Sequence, residues 1–128
     1  PRNPAAQAAL VANLPTSMVF DLMAVRLDAD KVGAGSLKLA FVFTDRNENV
    51  YVTVENGVLV HQAITPPGPV DATLRISRSD FLQSVIGGAP LAPKVLSGAA
   101  KIEGSAAALQ TFAGWMSPPN GDFAIVTP

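Results

Sequence analysis

Two stretches of period two, followed by a strong turn signal, decide most of what this sequence can become. Leu37, Leu39, Phe41 and Phe43 alternate with Lys38, Ala40 and Val42, and Val50, Val52 and Val54 alternate with Tyr51, Thr53 and Glu55. Side chains along a strand point to opposite faces in turn, so each stretch reads as a half-buried strand. Asn56-Gly57 then joins the second stretch to Val58-Leu59-Val60-His61 as a hairpin, since both turn residues accept the positive φ a tight turn demands. Beyond the loop Thr65-Pro66-Pro67-Gly68-Pro69, a fourth strand places Ala72, Leu74 and Ile76 inward and Thr73 and Arg75 outward.

Helical patterns flank these strands. Residues 1–12 read as a linker or irregular lead-in, and 13–128 as a single domain. Thr16 or Ser17 is the expected cap of a helix over 17–28, whose polar stripe is Ser17, Asp21 and Asp28 with Ala24. Met18, Val19, Phe20, Leu22, Met23, Val25 and Leu27 fill the rest of its surface, an arc wide enough to need cover on more than one side. Gly33-Ala34-Gly35 reads as a helix stop and turn, not a phosphate loop, because the spacing is wrong and a strand follows. Ser77 or Ser79 caps a short helix over 80–86 ended by Gly87-Gly88, and a second runs over 91–96 to Gly98. Lys101-Ile102-Glu103 is a fifth strand, and Gly104-Ser105 opens a last helix stopped by Pro118-Pro119. Phe123-Ala124-Ile125-Val126 is too apolar to be left in solvent.

Four consecutive strands followed by helices argue α+β, one largely antiparallel sheet with helices gathered on one face. Such a layering can leave a slot between sheet and helices. The last helix sharpens the point, because Leu109, Phe112, Trp115 and Met116 share one side and strongly polar residues are few. The protein's own sheet, a partner surface or a hydrocarbon ligand must cover that side.

Composition removes several function classes. Nine basic and ten acidic residues are interspersed, for a net charge of −1, which lacks the clustered cations nucleic acid requires. Cysteine is absent, so disulfides, thiolate metal sites and cysteine nucleophiles are excluded. Mean hydropathy is +0.30, yet no apolar run approaches the ~20 residues of a membrane span. The opening Pro1-Arg2-Asn3-Pro4 shows no targeting pattern, and the expectation is a piece of a longer or processed chain.

Catalytic groups are scarce. His61 is the sole histidine and reads as a solvent-facing or edge residue, with a general base as the alternative. Asp45, Glu48 and Glu55 lie at strand ends and turns, where acidic residues serve solvation and turn chemistry. No serine has the setting of a nucleophile elbow. The expectation is therefore a chain that is not itself an enzyme and holds no metal or cofactor. The apolar excess is more informative. Phe20, Met23, Leu27, Phe41, Phe43, Leu82, Val85, Phe112, Trp115 and Met116 are candidates to line an apolar slot, though the same residues, with Phe81 and Leu109, make ordinary core.

Two local patterns carry a resemblance. The passage from Ala72-Thr73-Leu74-Arg75-Ile76 through Ser77-Arg78-Ser79-Asp80-Phe81 is similar to the strand-to-helix step of the sterol carrier protein 2 (SCP2) family. Gly98-Ala99-Ala100-Lys101-Ile102-Glu103-Gly104-Ser105 is similar to its strand into the last helix, with Ser105 where an acidic or amide residue is usual. Asn13-Leu14-Pro15-Thr16 with Phe20-Asp21-Leu22-Met23-Ala24-Val25-Arg26-Leu27, then Phe43-Thr44-Asp45, Glu55-Asn56-Gly57-Val58-Leu59 and the closing Ile125-Val126-Thr127-Pro128, resembles the C-terminal domain of bacterial alkyl sulfatases.

What this resemblance implies is an SCP2-like fold, a five-stranded, mainly antiparallel sheet with helices on one face and an apolar cavity between the layers. It further implies an accessory domain that holds the aliphatic chain of an alkyl sulfate for a separate zinc hydrolase domain, with a dimerisation domain alongside. The catalytic residues belong to that zinc domain and transfer to no position here. The partners implied are a long-chain aliphatic ligand (alkyl sulfate, fatty acid or detergent) and the other domains of the parent enzyme, in a periplasmic or secreted setting. A docking module without a cavity and a free-standing lipid carrier are the alternatives.

Overall fold

Asn56 and Gly57 take φ of 53° and 75°, so both central residues of the hairpin turn lie in the left-handed region, as a type I′ turn requires. The turn fixes the register Glu55↔Val58, Val54↔Leu59 and Val52↔His61. A computed structural model of the chain describes residues 13–65, 68–86 and 89–116. The elements run α1 (Thr16–Arg26), α2 (Ala29–Val32), β1 (Ser36–Phe43), β2 (Glu48–Glu55), β3 (Val58–Gln62), β4 (Ala72–Ile76), α3 (Arg78–Val85), α4 (Ala92–Ser97), β5 (Lys101–Gly104) and α5 (Ala106–Gly114). The expected lead-in over 1–12, the loop residues Pro66 and Pro67, the Gly87-Gly88 and Pro118-Pro119 stops and the apolar run at 123–126 lie outside the described residues.

The strands form one five-stranded sheet in the order β3-β2-β1-β4-β5. β1 pairs antiparallel with β2 and parallel with β4, while β2–β3 and β4–β5 are antiparallel, so the sheet is mixed with a single parallel pair at its centre. The alternation predicted from sequence appears as burial. Leu39, Phe41, Phe43, Val50, Val52, Val54, Leu59, Ala72, Leu74 and Ile76 are buried on the helix-covered face, whereas Lys38, Asn49, Glu55, Val60 and Arg75 are exposed on the other. Ala40 is also buried; it is small and stands between Tyr51 and Thr73 on the open face. Among the described residues no helix is long and apolar enough to cross a membrane.

Helix starts follow local chemistry. Ser77 accepts the Asp80 N–H at 3.0 Å and Ser105 accepts the Ala108 N–H at 3.1 Å, each satisfying a backbone donor that the first turn leaves open. The first helix departs from expectation at both ends. Pro15 occupies its N-cap without a side-chain bond, and Thr16 Oγ1 instead donates to Glu48 Oε1 at 2.6 Å. At the far end the helix stops at Arg26, because Asp28 turns away to cap α2, accepting the N–H groups of Asp30 and Lys31 at 3.0 and 3.3 Å. The four-residue α2 has too few positions for a periodic pattern, which is why sequence periodicity merged Asp28 with α1. The expectation that α1 is covered on more than one side fails among the described residues: Met18, Leu22 and Val25 are 45%, 44% and 82% exposed.

Gly104 ends β5 at φ 85°, and a Cβ there would stand 2.7 Å from the Asp71 carbonyl oxygen. Gly104→Ala is expected to cost more than about 2 kcal/mol, combining left-handed strain with a backbone clash. Ser105→Ala, one residue on, loses only the cap, about 1 kcal/mol. Urea denaturation of the two variants checks this ordering; equal losses contradict it.

Candidate functional site

Phe20 stands at the centre of a ring cluster that ties two helices to the sheet. Its centroid lies 5.4 Å from Phe41, 5.6 Å from Phe81 in a stacked arrangement, 5.9 Å from His61 and 6.2 Å from Phe43. Phe81 in turn lies 5.4 Å from Phe41 and 5.1 Å from Phe43, and Phe41 lies 6.1 Å from Phe112. These are contact distances for aromatic rings, so the rings fill the space between them. Of the residues predicted to line a slot, Phe20, Met23, Phe41, Phe43, Leu82, Phe112 and Trp115 are buried in one core. Leu27, Val85 and Met116 are half-buried and pack against its edge. The apolar side of the last helix is thus covered by the protein's own core, with small residues such as Ala107 and Ala113 facing out.

The half-buried residues share a location. Leu27, extended after α1, forms an antiparallel bridge with Met116 just past α5, and the Asp28 N–H donates to the Trp115 carbonyl at 2.8 Å. Arg26 Nη1 donates to the carbonyl of Val85, the last residue of α3, at 2.9 Å. The C-terminal ends of α1, α3 and α5 are therefore tied together, and the Trp115 ring lies against the backbone of Gly35. Ile86, Leu91 and Val95 are also half-buried against the core. The result, among the described residues, is an apolar rim that includes the Arg26 guanidinium. Burial lowers the pKa of the Arg26 guanidinium from its ordinary value, since taking a charge out of water disfavours the charged form. Sequence reading counted Arg26 only among scattered charges. Its place was legible all the same, because Val19, Met23 and Arg26 fall at i, i+4 and i+7, on the core side of the helix.

The polar groups are occupied in fastening elements together. His61 lies on the edge strand β3, but its ring turns inward: Nε2 is 2.6 Å from Asp21 Oδ1, and the ring sits against Phe20. Its side chain is 17% exposed and that of Asp21 69% exposed, so the pair closes the outer edge of α1 over β3. Asp45, expected to serve its own turn, accepts the Arg78 backbone N–H at 2.8 Å and so supports the start of α3. The Arg78 guanidinium, buried within the fold, donates through Nη2 to the Leu14 carbonyl; desolvation first, then the nearby Arg46 charge, lowers its pKa. Among the described residues no group of three or more His, Cys, Asp or Glu stands together to hold a metal ion. A groove of about 420 Å³ near the start of β1 is lined by Ser36, Lys38, Thr53, Glu55 and Asp71 with Leu37 and Pro69, a polar wall unsuited to a hydrocarbon.

An (R)-specific secondary-alkylsulfatase from a Pseudomonas species is 30% identical over 115 residues, 90% of this chain and 17% of that protein. The solved structure of the stereoselective inverting sec-alkylsulfatase Pisa1 from Pseudomonas sp. matches with a TM-score of 0.80 at 29% identity, covering 91% of this chain and 18% of that one. The palmitated sterol carrier protein 2 like 2 of Aedes aegypti matches at a TM-score of 0.52 and 13% identity over 79% of this chain and 93% of that one, a likeness of fold alone. The chain therefore has an SCP2-like α+β fold and spans less than a fifth of the alkylsulfatases it matches. The alkyl sulfatase C-terminal family matches residues 4–128, nearly the whole chain, and the protein belongs to that family.

Proposed function

We propose that this domain is a non-catalytic accessory that takes up the aliphatic chain of an alkyl sulfate and presents the ester to a zinc hydrolase domain elsewhere in a parent enzyme. The observation that carries the reading is the rim: half-buried Leu27, Val85 and Met116 at the converging helix ends give the core an apolar edge that a hydrocarbon can join. Buried Met23 and rim Met116 add flexible side chains that can repack around guests of different length. The family membership supports the substrate class, and a palmitated relative of the same fold supports an acyl chain as a guest. In this reading the domain needs no cofactor of its own; its partners are the ligand and the catalytic and dimerisation domains of the parent. The aliphatic chain then rests on the rim residues, and buried Phe20, Phe41, Phe43, Leu82 and Phe112 back that rim from within the core.

Titration of the 128-residue chain with alkyl sulfates of increasing length, below their micelle concentrations, tests this through Trp115, the single tryptophan, and by calorimetry. Burying a methylene contributes at most ~0.8 kcal/mol, about a fourfold gain in affinity, before ordering costs. The expected outcome is saturable binding that tightens by roughly two- to fourfold per methylene with a negative heat-capacity change. Binding indifferent to chain length refutes it.

The exposed stripe Met18, Leu22 and Val25 favours a second reading, in which the outer face of α1 docks on another part of the parent enzyme. Substituting these three residues with Gln is then expected to abolish self-association of the isolated chain in sedimentation while leaving the alkyl titration unchanged. A wild-type chain that sediments as a monomer at high concentration counts against this docking face.

A further inference from the structure

α4 is held differently from the longer helices. α1, α3 and α5 each bury at least two large apolar side chains, whereas α4 buries no residue. Leu91 at its N-cap and Val95 are half-buried against the core, and Leu96 is 88% exposed. Among the described residues one side-chain bond reaches from α4 to another element, from Lys94 Nζ to Asp80 Oδ1 at 3.2 Å. Just ahead of the helix the Ala89 N–H donates to the Gln83 carbonyl at 2.9 Å, so residues 89–94 run back along α3. The flank of α3 that they meet also carries Ser84, which stands four residues after Asp80. Ser84 Oγ is buried and has no hydrogen-bond partner among the described residues. A hydroxyl buried unpaired is unfavourable, so the closed seam carries a cost that opening relieves.

We propose that the seam between α3 and α4 is where the aliphatic guest enters, with α4 as a cover latched by the Lys94–Asp80 ion pair and with Ile86, Leu91 and Val95 as the surface the guest meets beneath it. The inference rests on the chain-binding reading above and gives it a route. Core rings at contact distance leave no room for a hydrocarbon among them, so admitting one requires an element to move. Local opening is easiest where few buried apolar contacts are given up, and α4 gives up the fewest. Its latch is weak enough to open, because the two side chains are 20% and 29% exposed and water screens them. Beyond the helix the backbone passes Gly98 at φ 86°, where a Cβ would meet nothing within 4 Å, so the chain can turn there without striking a neighbour. Ile86 follows Val85 directly, which makes the seam continuous with the rim. A guest lying in it replaces the contacts that Leu91 and Val95 make with the core.

The test is stopped-flow binding of an uncharged dodecyl ether below its micelle concentration, followed through Trp115, so that no head-group charge acts on Lys94. Lys94→Met removes the latch and keeps an apolar stem; it is expected to speed association about two- to fivefold. Added salt is expected to speed the wild type and leave Lys94→Met unchanged. Ser84→Ala removes the cost of the closed seam and is expected to slow association by about threefold or more. Opposite signs separate a latched cover from general loosening of the fold. Because the chain has no cysteine, Asp80→Cys combined with Lys94→Cys and joined by a short bismaleimide holds α4 shut. Before cross-linking this protein is expected to bind as Lys94→Met does, and afterwards to lose affinity at least about tenfold. The single variants carry the test where the double variant fails to fold. A cross-linked protein that binds as well as the open form overturns the inference, and so do equal rates in the wild type and both single variants; either result leaves chain binding standing. Wild-type affinity indifferent to alkyl length overturns the chain-binding reading first, and this inference with it.

Discussion

The stacked contact between Phe20 and Phe81 is the interaction on which the rest of the structure depends. Phe20 comes from α1 and Phe81 from α3, more than fifty positions apart in the chain, and both rings rest on Phe41 and Phe43 of the central strand β1. Each ring buried in this way contributes up to about 3 kcal/mol of transfer free energy, and the pairwise geometry adds about 0.5–1.5 kcal/mol per contact. Because both helices bind the same face of β1, that face is committed to the core and the other is left to Lys38, Thr53 and Arg75. The direction of the chain follows as well: β4 must run parallel to β1 for α3, which begins two residues past it, to bring Phe81 over the same rings.

Once those helices are seated, their C-terminal ends meet. Helix ends leave carbonyls without intrahelical partners, and here they are used to tie elements together instead of being left to solvent. The Val85 carbonyl takes the Arg26 guanidinium, and the Trp115 carbonyl takes the Asp28 N–H. The side chains around these bonds, Leu27, Val85 and Met116, are among those that stay half-buried against the core in the described residues. An apolar edge beside a cation is thus a consequence of how the helices stop.

Much of this was legible in the residues. The alternation from Leu37 to Val54, the Asn56-Gly57 turn, the Ser77 and Ser105 caps and the amphipathic face of Leu109 and Phe112 each act within a few residues, so local pattern is sufficient to read them. The motifs around Ala72–Ile76 and Gly104 pointed to the SCP2-like fold for the same reason. The first helix was read less well. Periodicity extended it through Asp28 because nothing in the local pattern reveals that Asp28 has α2 to cap and the Trp115 carbonyl to reach, a partner far along the chain. Thr16 as a cap failed likewise, since Glu48 competes for it across the fold, and Asp45, in its turn as read, also accepts the Arg78 N–H at the start of α3, which no local pattern reveals.

The sequence by itself determined which side chains are apolar, where the strands and the Ser77- and Ser105-capped helices lie, and that four strands follow one another before α3, because burial period, turn residues and caps are properties of neighbouring positions. It did not determine which members of one apolar set become wall and which become rim. Phe20 and Leu27 read alike in a hydrophobic pattern, yet one is fully buried and the other half-buried. Nor could it show that Arg26 reaches the Val85 carbonyl or that His61 turns to Asp21. Those outcomes depend on the distances between elements brought together by packing, and only the tertiary structure decides them.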